Sequence, residues 1–161
     1  MEPLPAALEP MVVAARDYCR MIEAERWSRP DWLVHVADLL PRLHAAVTAL
    51  RPPDMTPLPP QRADLDRRFE LFSRLRKELG CNDGYWLEYD HWYAPEEMSG
   101  SLADDLTDIY FDLKQGLEWL EWRSPERAAR TWQSGYRLHW GEHLVDAERQ
   151  LYRLVQCRPL R

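Results

Sequence analysis

The chain has 161 residues, of which 30% are charged and 45% hydrophobic, with a formal net charge of -6 and a mean hydropathy of -0.58. That length fits one domain able to withdraw roughly 70% of its unfolded surface from water, which excludes a disordered chain, and the acidic balance excludes binding to phosphate backbones, which needs clustered Lys and Arg. No apolar run approaches the ~18–20 residues that span a bilayer, the start MEPLPAALEP carries no basic residue, and Cys19, Cys81 and Cys157 form no C-x-x-C pair, so a cytoplasmic protein with free thiols, no leader and no membrane span is expected.

Periodicity predicts a first helix from about Leu8 to Glu25, with Leu8, Met11, Val12, Ala15, Tyr18, Cys19 and Ile22 on one face. Ser28-Arg29-Pro30-Asp31 reads as the capped start of a second helix that continues to Leu50. Pro41 lies inside it and removes one backbone donor, so a kink near Leu39 and Leu40, or two shorter helices, is expected. Residues 51–60, RPPDMTPLPP, contain five prolines and form a stiff extended connector. The third helix spans about Gln61 to Leu79, with Leu65, Phe69, Phe72, Leu75 and Leu79 inward and Gly80 as its stop.

Residues 81–100 show no period but hold Tyr85, Trp86, Tyr89, Trp92 and Tyr93, too much aromatic area to leave in water, so this long loop is expected to strap down over the bundle. A fourth helix follows, capped by Ser101 with Asp104 three residues on, its apolar stripe being Leu102, Leu106, Ile109, Leu113, Leu117 and Leu120. Ser124-Pro125 opens the fifth, on which Trp132, Tyr136, Trp140, Leu144, Ala147, Leu151 and Val155 repeat at three and four. A straight helix from Pro125 to Cys157 would run ~48 Å, so a bend at Gly135 or Gly141 is expected. The fold class is therefore all-α, one domain over 1–161, a bundle of about five helices with an aromatic-rich connecting loop.

Two polar stripes stand out: Asp104, Asp105, Asp108 and Asp112 on the fourth helix, and His139, His143 and Asp146 on the fifth. On a wheel of ~100° per residue, Asp105 and Asp112 border the apolar arc of their helix, with Asp108 and Asp104 farther out, while His143 falls inside the arc of the fifth helix and His139 at its edge. If the two helices run antiparallel, these borders face each other, and His143 is expected near Asp108 or Asp112. An Asp–His link that locks helix register is the simplest reading. The second is a divalent metal such as Zn, Mn or Fe, with Asp105, Asp108, Asp112, His139 and His143 as candidate ligands. His139-Trp140-Gly141-Glu142-His143 also fits H-x-x-E-H, although only Glu148 follows as an acidic ligand. His35 and His44 read as ordinary helix residues, and no glycine-rich phosphate loop or nucleophile elbow is present.

From Cys81 to Leu113 there are nine Asp or Glu and no Lys or Arg, whereas Arg62 to Lys77 holds six basic and three acidic residues. These segments either neutralise one another or form a surface for a cation or basic partner. Gly100-Ser101-Leu102, Asp104-Asp105-Leu106, Asp108-Ile109-Tyr110 and Asp112-Leu113-Lys114, followed by Trp140-Gly141 and His143, resemble a bacterial family, the domain of unknown function 5063. The resemblance extends from Asp17–Glu23 to the fifth helix and implies a cytoplasmic bacterial protein with a helical fold, but no activity, cofactor or catalytic residue. Two functional classes follow. The favoured one is a non-catalytic interaction domain with a protein partner at the acidic and aromatic surface, no cofactor, no membrane and no nucleic acid; the alternative is a metal-binding protein or metal-dependent hydrolase with its Asp/His site between the fourth and fifth helices.

Overall fold

The structure, a computed structural model, describes residues 6–51, 56, 58, 64–87 and 98–157. Its helices are α1 (Glu9–Glu23), α2 (Trp32–Ala49), α3 (Leu65–Leu79), α4 (Leu102–Glu121), α5 (Pro125–Gly135) and α6 (Gly141–Val155), and a π-helical turn, Tyr136–Trp140, makes α5 and α6 one rod. The protein is thus an all-α bundle, with five rods among the described residues and α4 at its centre, packed against α1, α3, α5 and α6, while α2 closes the far side against α1 and α6. None of the described helices is long and apolar enough to cross a membrane.

The face predicted for α1 is buried without exception, and Tyr18 meets the one polar need this creates by donating its hydroxyl to the carbonyl of Leu106 on α4 at 2.8 Å. α2 starts later than the capping pattern implied: residues 24–31 form turns, and Asp31 occupies the cap position without a side-chain hydrogen bond. Its helix passes unbroken through Pro41, which sits exposed on the outer face, where the missing amide disrupts no packing. α3 is capped by Asp64, which accepts from the Arg67 amide at 3.1 Å, and only the C-terminal half of its apolar stripe is covered. Leu75 and Leu79 are buried and Phe72 is half-buried, but Leu65 and Phe69, expected inward, are exposed, because the side of the α3 N-terminal half that meets α4 is the one carrying Arg68.

α4 owes its position to a residue the sequence reading passed over. Asp83, buried just before the loop, accepts from the Ala103 amide at 2.7 Å and from the Ser101 hydroxyl at 3.0 Å, while its own carbonyl accepts from the Leu102 amide. A carboxylate seated on the unpaired amides of a helix start complements the positive end of the helix dipole. Ser101 adds the expected cap, accepting from the Asp104 amide at 3.3 Å. Beside it, Gly84–Tyr85 (β1) and Gly100–Ser101 (β2) pair antiparallel, Tyr85 opposite Gly100, and tie the two ends of the long loop together. The Tyr85 ring lies where a Cβ on Gly100 would stand, so glycine is required there. Tyr85 is buried and Trp86 half-buried, whereas Tyr89, Trp92 and Tyr93, like most of the proline connector, lie outside the described residues.

α5 approaches α4 closely at Gly116, where any Cβ would overlap the Trp132 indole. That ring is fully buried and donates to the Leu113 carbonyl at 3.1 Å; Trp140, equally buried, donates in turn to the Trp132 carbonyl at 3.2 Å. Between Gly135 and Gly141, the two positions at which a bend is expected, the chain makes the π turn, whose extra residue lets Tyr136 lie over Gly141, where a side chain would collide with it. Tyr136 itself, expected in the core, is half-buried, because its hydroxyl reaches sideways to His44 at 2.8 Å.

Candidate metal centre

The central packing of α4 against the α5–α6 rod brings both polar stripes together. His143 sets its Nδ1 2.9 Å from Asp105 Oδ1 and its Nε2 3.0 Å from Asp108 Oδ2. One turn of the rod earlier, His139 sets its Nδ1 2.8 Å from Asp112 Oδ2 and its Nε2 3.7 Å from the same Asp108 oxygen. The two rings stand 5.2 Å apart, edge to face. The expected contact of His143 with Asp108 is present; Asp112 belongs to His139 instead, and the second partner of His143 is Asp105.

Burial within this cluster inverts the order read from the wheel. Asp108, placed farther from the core than Asp105 and Asp112, is the deepest of the three at 2% side-chain exposure, against 5% for Asp105 and 20% for Asp112. The reason is α3. It crosses the face of α4 that an isolated wheel assigns to solvent and lays Arg68 on Asp108 Oδ1, with the second guanidinium nitrogen 3.4 Å from Asp104. Asp105 is held from its other side by the Tyr85 hydroxyl, which donates to Oδ2 at 2.5 Å. His143 is three-quarters buried, while His139, on the π turn, is 48% exposed and forms the solvent edge.

The electrostatics follow from this placement. Burial would push the His143 imidazole toward lower pKa, but the hydrogen bond and charge of Asp105, with Asp104 behind it, outweigh burial and raise it. Asp105 is also raised, by burial first, against the hydrogen bonds from His143 and Tyr85. Both shifts have one meaning: the pair retains a proton that either group alone would release at lower pH. Burial beside the Asp105 charge holds the Tyr85 phenol far above its ordinary value, so it acts only as a donor.

The donor count has a further consequence. A carboxylate only accepts, and a neutral imidazole has one N–H, so a ring whose Nδ1–H is given to Asp105 or Asp112 presents a bare lone pair at Nε2. Both Nε2 atoms are turned toward Asp108 Oδ2, itself an acceptor. Such a meeting is stable only with a proton or a cation between the groups: a second proton on the rings, a proton on a carboxyl, or a metal ion. A ligand atom from each of Asp108, His139 and His143 lies within 4.8 Å of the other two. Around a four-coordinate ion with bonds of ~2.0–2.1 Å, ligand atoms stand ~3.3 Å apart, and the Nε2–Oδ2 separations of 3.0 and 3.7 Å bracket that value. Asp105 and Asp112 then fall where carboxylates orient metal-binding histidines through the opposite ring nitrogen.

The remaining polar residues lie elsewhere. Glu142 is exposed, and Asp146 pairs with Arg149 at 3.0 Å. Glu148, the downstream acid that the H-x-x-E-H pattern required, meets His44 at 3.0 Å on another face of the bundle, so that motif does not assemble a site. His44, read as an ordinary helix residue, is instead the middle of a Glu148–His44–Tyr136 chain, whose three members are too far apart in sequence for spacing to relate them. His35 is exposed, 3.8 Å from Asp31.

Comparison with known proteins supports the fold and adds no activity. Protein BF1032 from Bacteroides fragilis, known from a crystal structure, is similar with a TM-score of 0.74 at 20% identity, over 97% of this chain and 96% of that one. No curated protein matches significantly. The family model described as a domain of unknown function, DUF5063, matches residues 4–156. A match over nearly the whole chain, including both polar stripes and the helices that bring them together, shows that the chain belongs to the DUF5063 family.

Proposed function

We propose that this protein binds one divalent transition metal ion, Zn, Mn or Fe, through Asp108 Oδ2 and the Nε2 atoms of His139 and His143. The observation that carries the reading is the orientation of the rings: each gives Nδ1 to a carboxylate of its own, Asp112 or Asp105, and turns Nε2 to the shared oxygen of Asp108. Formal charge favours it as well. Among the described residues the four carboxylates Asp104, Asp105, Asp108 and Asp112 meet one guanidinium, that of Arg68 at Asp104 and Asp108, which leaves a formal surplus of three negative charges before any proton on the imidazoles that meet Asp105, Asp108 and Asp112 is counted. Of the acidic region expected to form a docking face, Asp83, Asp105 and Asp108 are buried and Asp104 is 45% exposed, while Glu88, Asp90, Glu96 and Glu97 lie outside the described residues. On this reading the protein works in the cytoplasm, where its three cysteines stay reduced, without a nucleic-acid partner.

Calorimetric titration of chelator-treated protein with Zn, Mn and Fe(II) salts tests the proposal. One equivalent of at least one metal should bind, and Asp108→Asn and His143→Ala should each abolish it. Absence of stoichiometric binding, or binding that survives both substitutions, would overturn it. A hydrolytic role is a second reading favoured by one observation: His139 stands half exposed, so the outer face of an ion here is open to water, which a metal acidifies toward a nucleophile. Metal-dependent hydrolysis of an activated ester or phosphate ester, lost in His143→Ala, would support it; metal binding with no turnover would leave the protein a binder.

A further inference from the structure

A second feature lies on the opposite side of the rod, where α2 packs against α6. Small side chains on α2, Ala37 and Ala45, leave a groove of about 520 Å³ facing Leu151 and Val155 of α6. Its floor is apolar and its rim is chemically one-sided. Asp38 and Glu148 line it, and no Lys or Arg does among the described residues. Pro41 adds to this, because its missing amide leaves the Ala37 carbonyl without its usual helical donor. Thr48 adds again, since its hydroxyl proton is committed to the carbonyls of His44 or Ala45 at 2.9 and 3.1 Å, so it offers a ligand only lone pairs. His44 is fixed in place by Glu148 at Nδ1 and by the Tyr136 hydroxyl at Nε2, which turns the end of the groove into a rigid wall.

We infer that this groove binds a small organic ammonium ion, its charged head at Asp38 and the neighbouring Ala37 carbonyl and its hydrocarbon body along Ala45, Leu151 and Val155. A ligand with donors and positive charge at one end and an apolar body matches a rim of acceptors and acids above an apolar floor, whereas a carboxylate or phosphate would meet like charge. The inference is independent of the metal reading, since none of these residues belongs to the Asp/His cluster.

Nitrogen-15 amide shift titrations with hexylammonium, hexanol and hexanoate test it, because the three share a body and differ in the head. Hexylammonium should give saturable shifts confined to residues around Ala37, Ala45, Thr48 and Leu151, hexanol should bind about tenfold more weakly for want of charge-assisted hydrogen bonds, and hexanoate should not bind. Asp38→Asn, at an exposed position, should weaken hexylammonium about two- to fivefold. Ala45→Trp, also exposed, should fill the groove and abolish binding with the fold intact. Equal binding of hexanol, no saturable shift with hexylammonium, or binding unchanged in Ala45→Trp would overturn the inference. Capture of a basic helical peptide without any response to hexylammonium would likewise overturn it and assign the groove to a protein partner.

Discussion

Replacing Trp140 by Ala removes the side chain that joins the core to the metal centre. Trp140 ends the π turn, is fully buried, meets Tyr136 edge-on at 5.3 Å and donates to the Trp132 carbonyl at 3.2 Å. An indole of this kind removes ~150–250 Å² from water, which at ~25 cal/mol per Å² corresponds to roughly 4–6 kcal/mol. Alanine and partial collapse of the cavity recover part of that, and the observed range for such truncations is about 3–5 kcal/mol. For a chain of this size each kcal/mol shifts the melting temperature by ~2–4 °C, so differential scanning calorimetry should record a drop of roughly 6–20 °C. Trp140→Phe, which keeps most of the area and loses the N–H, should fall by about 1–2 kcal/mol. An alanine variant that melts within ~2 °C of the wild type would refute the placement of this ring at the centre of the rod.

Asp83→Ala should lower stability by about 2 kcal/mol, because two donors at the start of α4, the Ser101 hydroxyl and the Ala103 amide, lose a charged acceptor; an unchanged urea midpoint would contradict its capping role. Cys19 is buried and its thiol is pushed up to about 12 by burial, so a native-state thiol assay should modify Cys81 and Cys157 and leave Cys19 untouched until denaturant is added. Prompt reaction of all three would show that α1 opens readily. Glu23 has a lowered pKa: burial opposes the shift, but hydrogen bonds from Lys114 and Tyr110, at 2.7 and 2.9 Å, prevail. A carboxylate so depressed contributes stability above its unfolded pKa and loses it as pH falls through the folded one. The stability gap between wild type and Glu23→Gln should therefore be open at neutral pH and close below pH ~4. A gap that widens toward acid would contradict this sign.

Helical periodicity carries the fold because each rod buries one face. The stripes of α1 and the first three turns of α4 are buried as the spacing implies, and Gly135 and Gly141 mark the two ends of the π turn. What a single helix cannot reveal is what crosses it. Asp108 was assigned an outer position because the wheel contains only α4; α3, arriving across the proline connector, covers that face and supplies Arg68. The same crossing leaves Leu65 and Phe69 in solvent although their spacing is that of a core stripe. Asp83 and His44 act through partners from other elements or through backbone amides, so no local pattern marks them. For the metal centre, the five residues were legible as two stripes, but the division of labour, with Asp105 and Asp112 at Nδ1 and Asp108 at Nε2, depends on helix register and rotamer, which spacing does not encode.

The measurement closest to the central claim is a long-range proton–nitrogen NMR correlation of the histidine side chains, recorded at slightly alkaline pH before and after one equivalent of Zn. His139 and His143 should carry their proton on Nδ1, facing Asp112 and Asp105, and zinc should shift Nε2 of both rings while those of His35 and His44 stay unchanged. Rings protonated on Nε2, or Nε2 resonances indifferent to zinc, would contradict that claim.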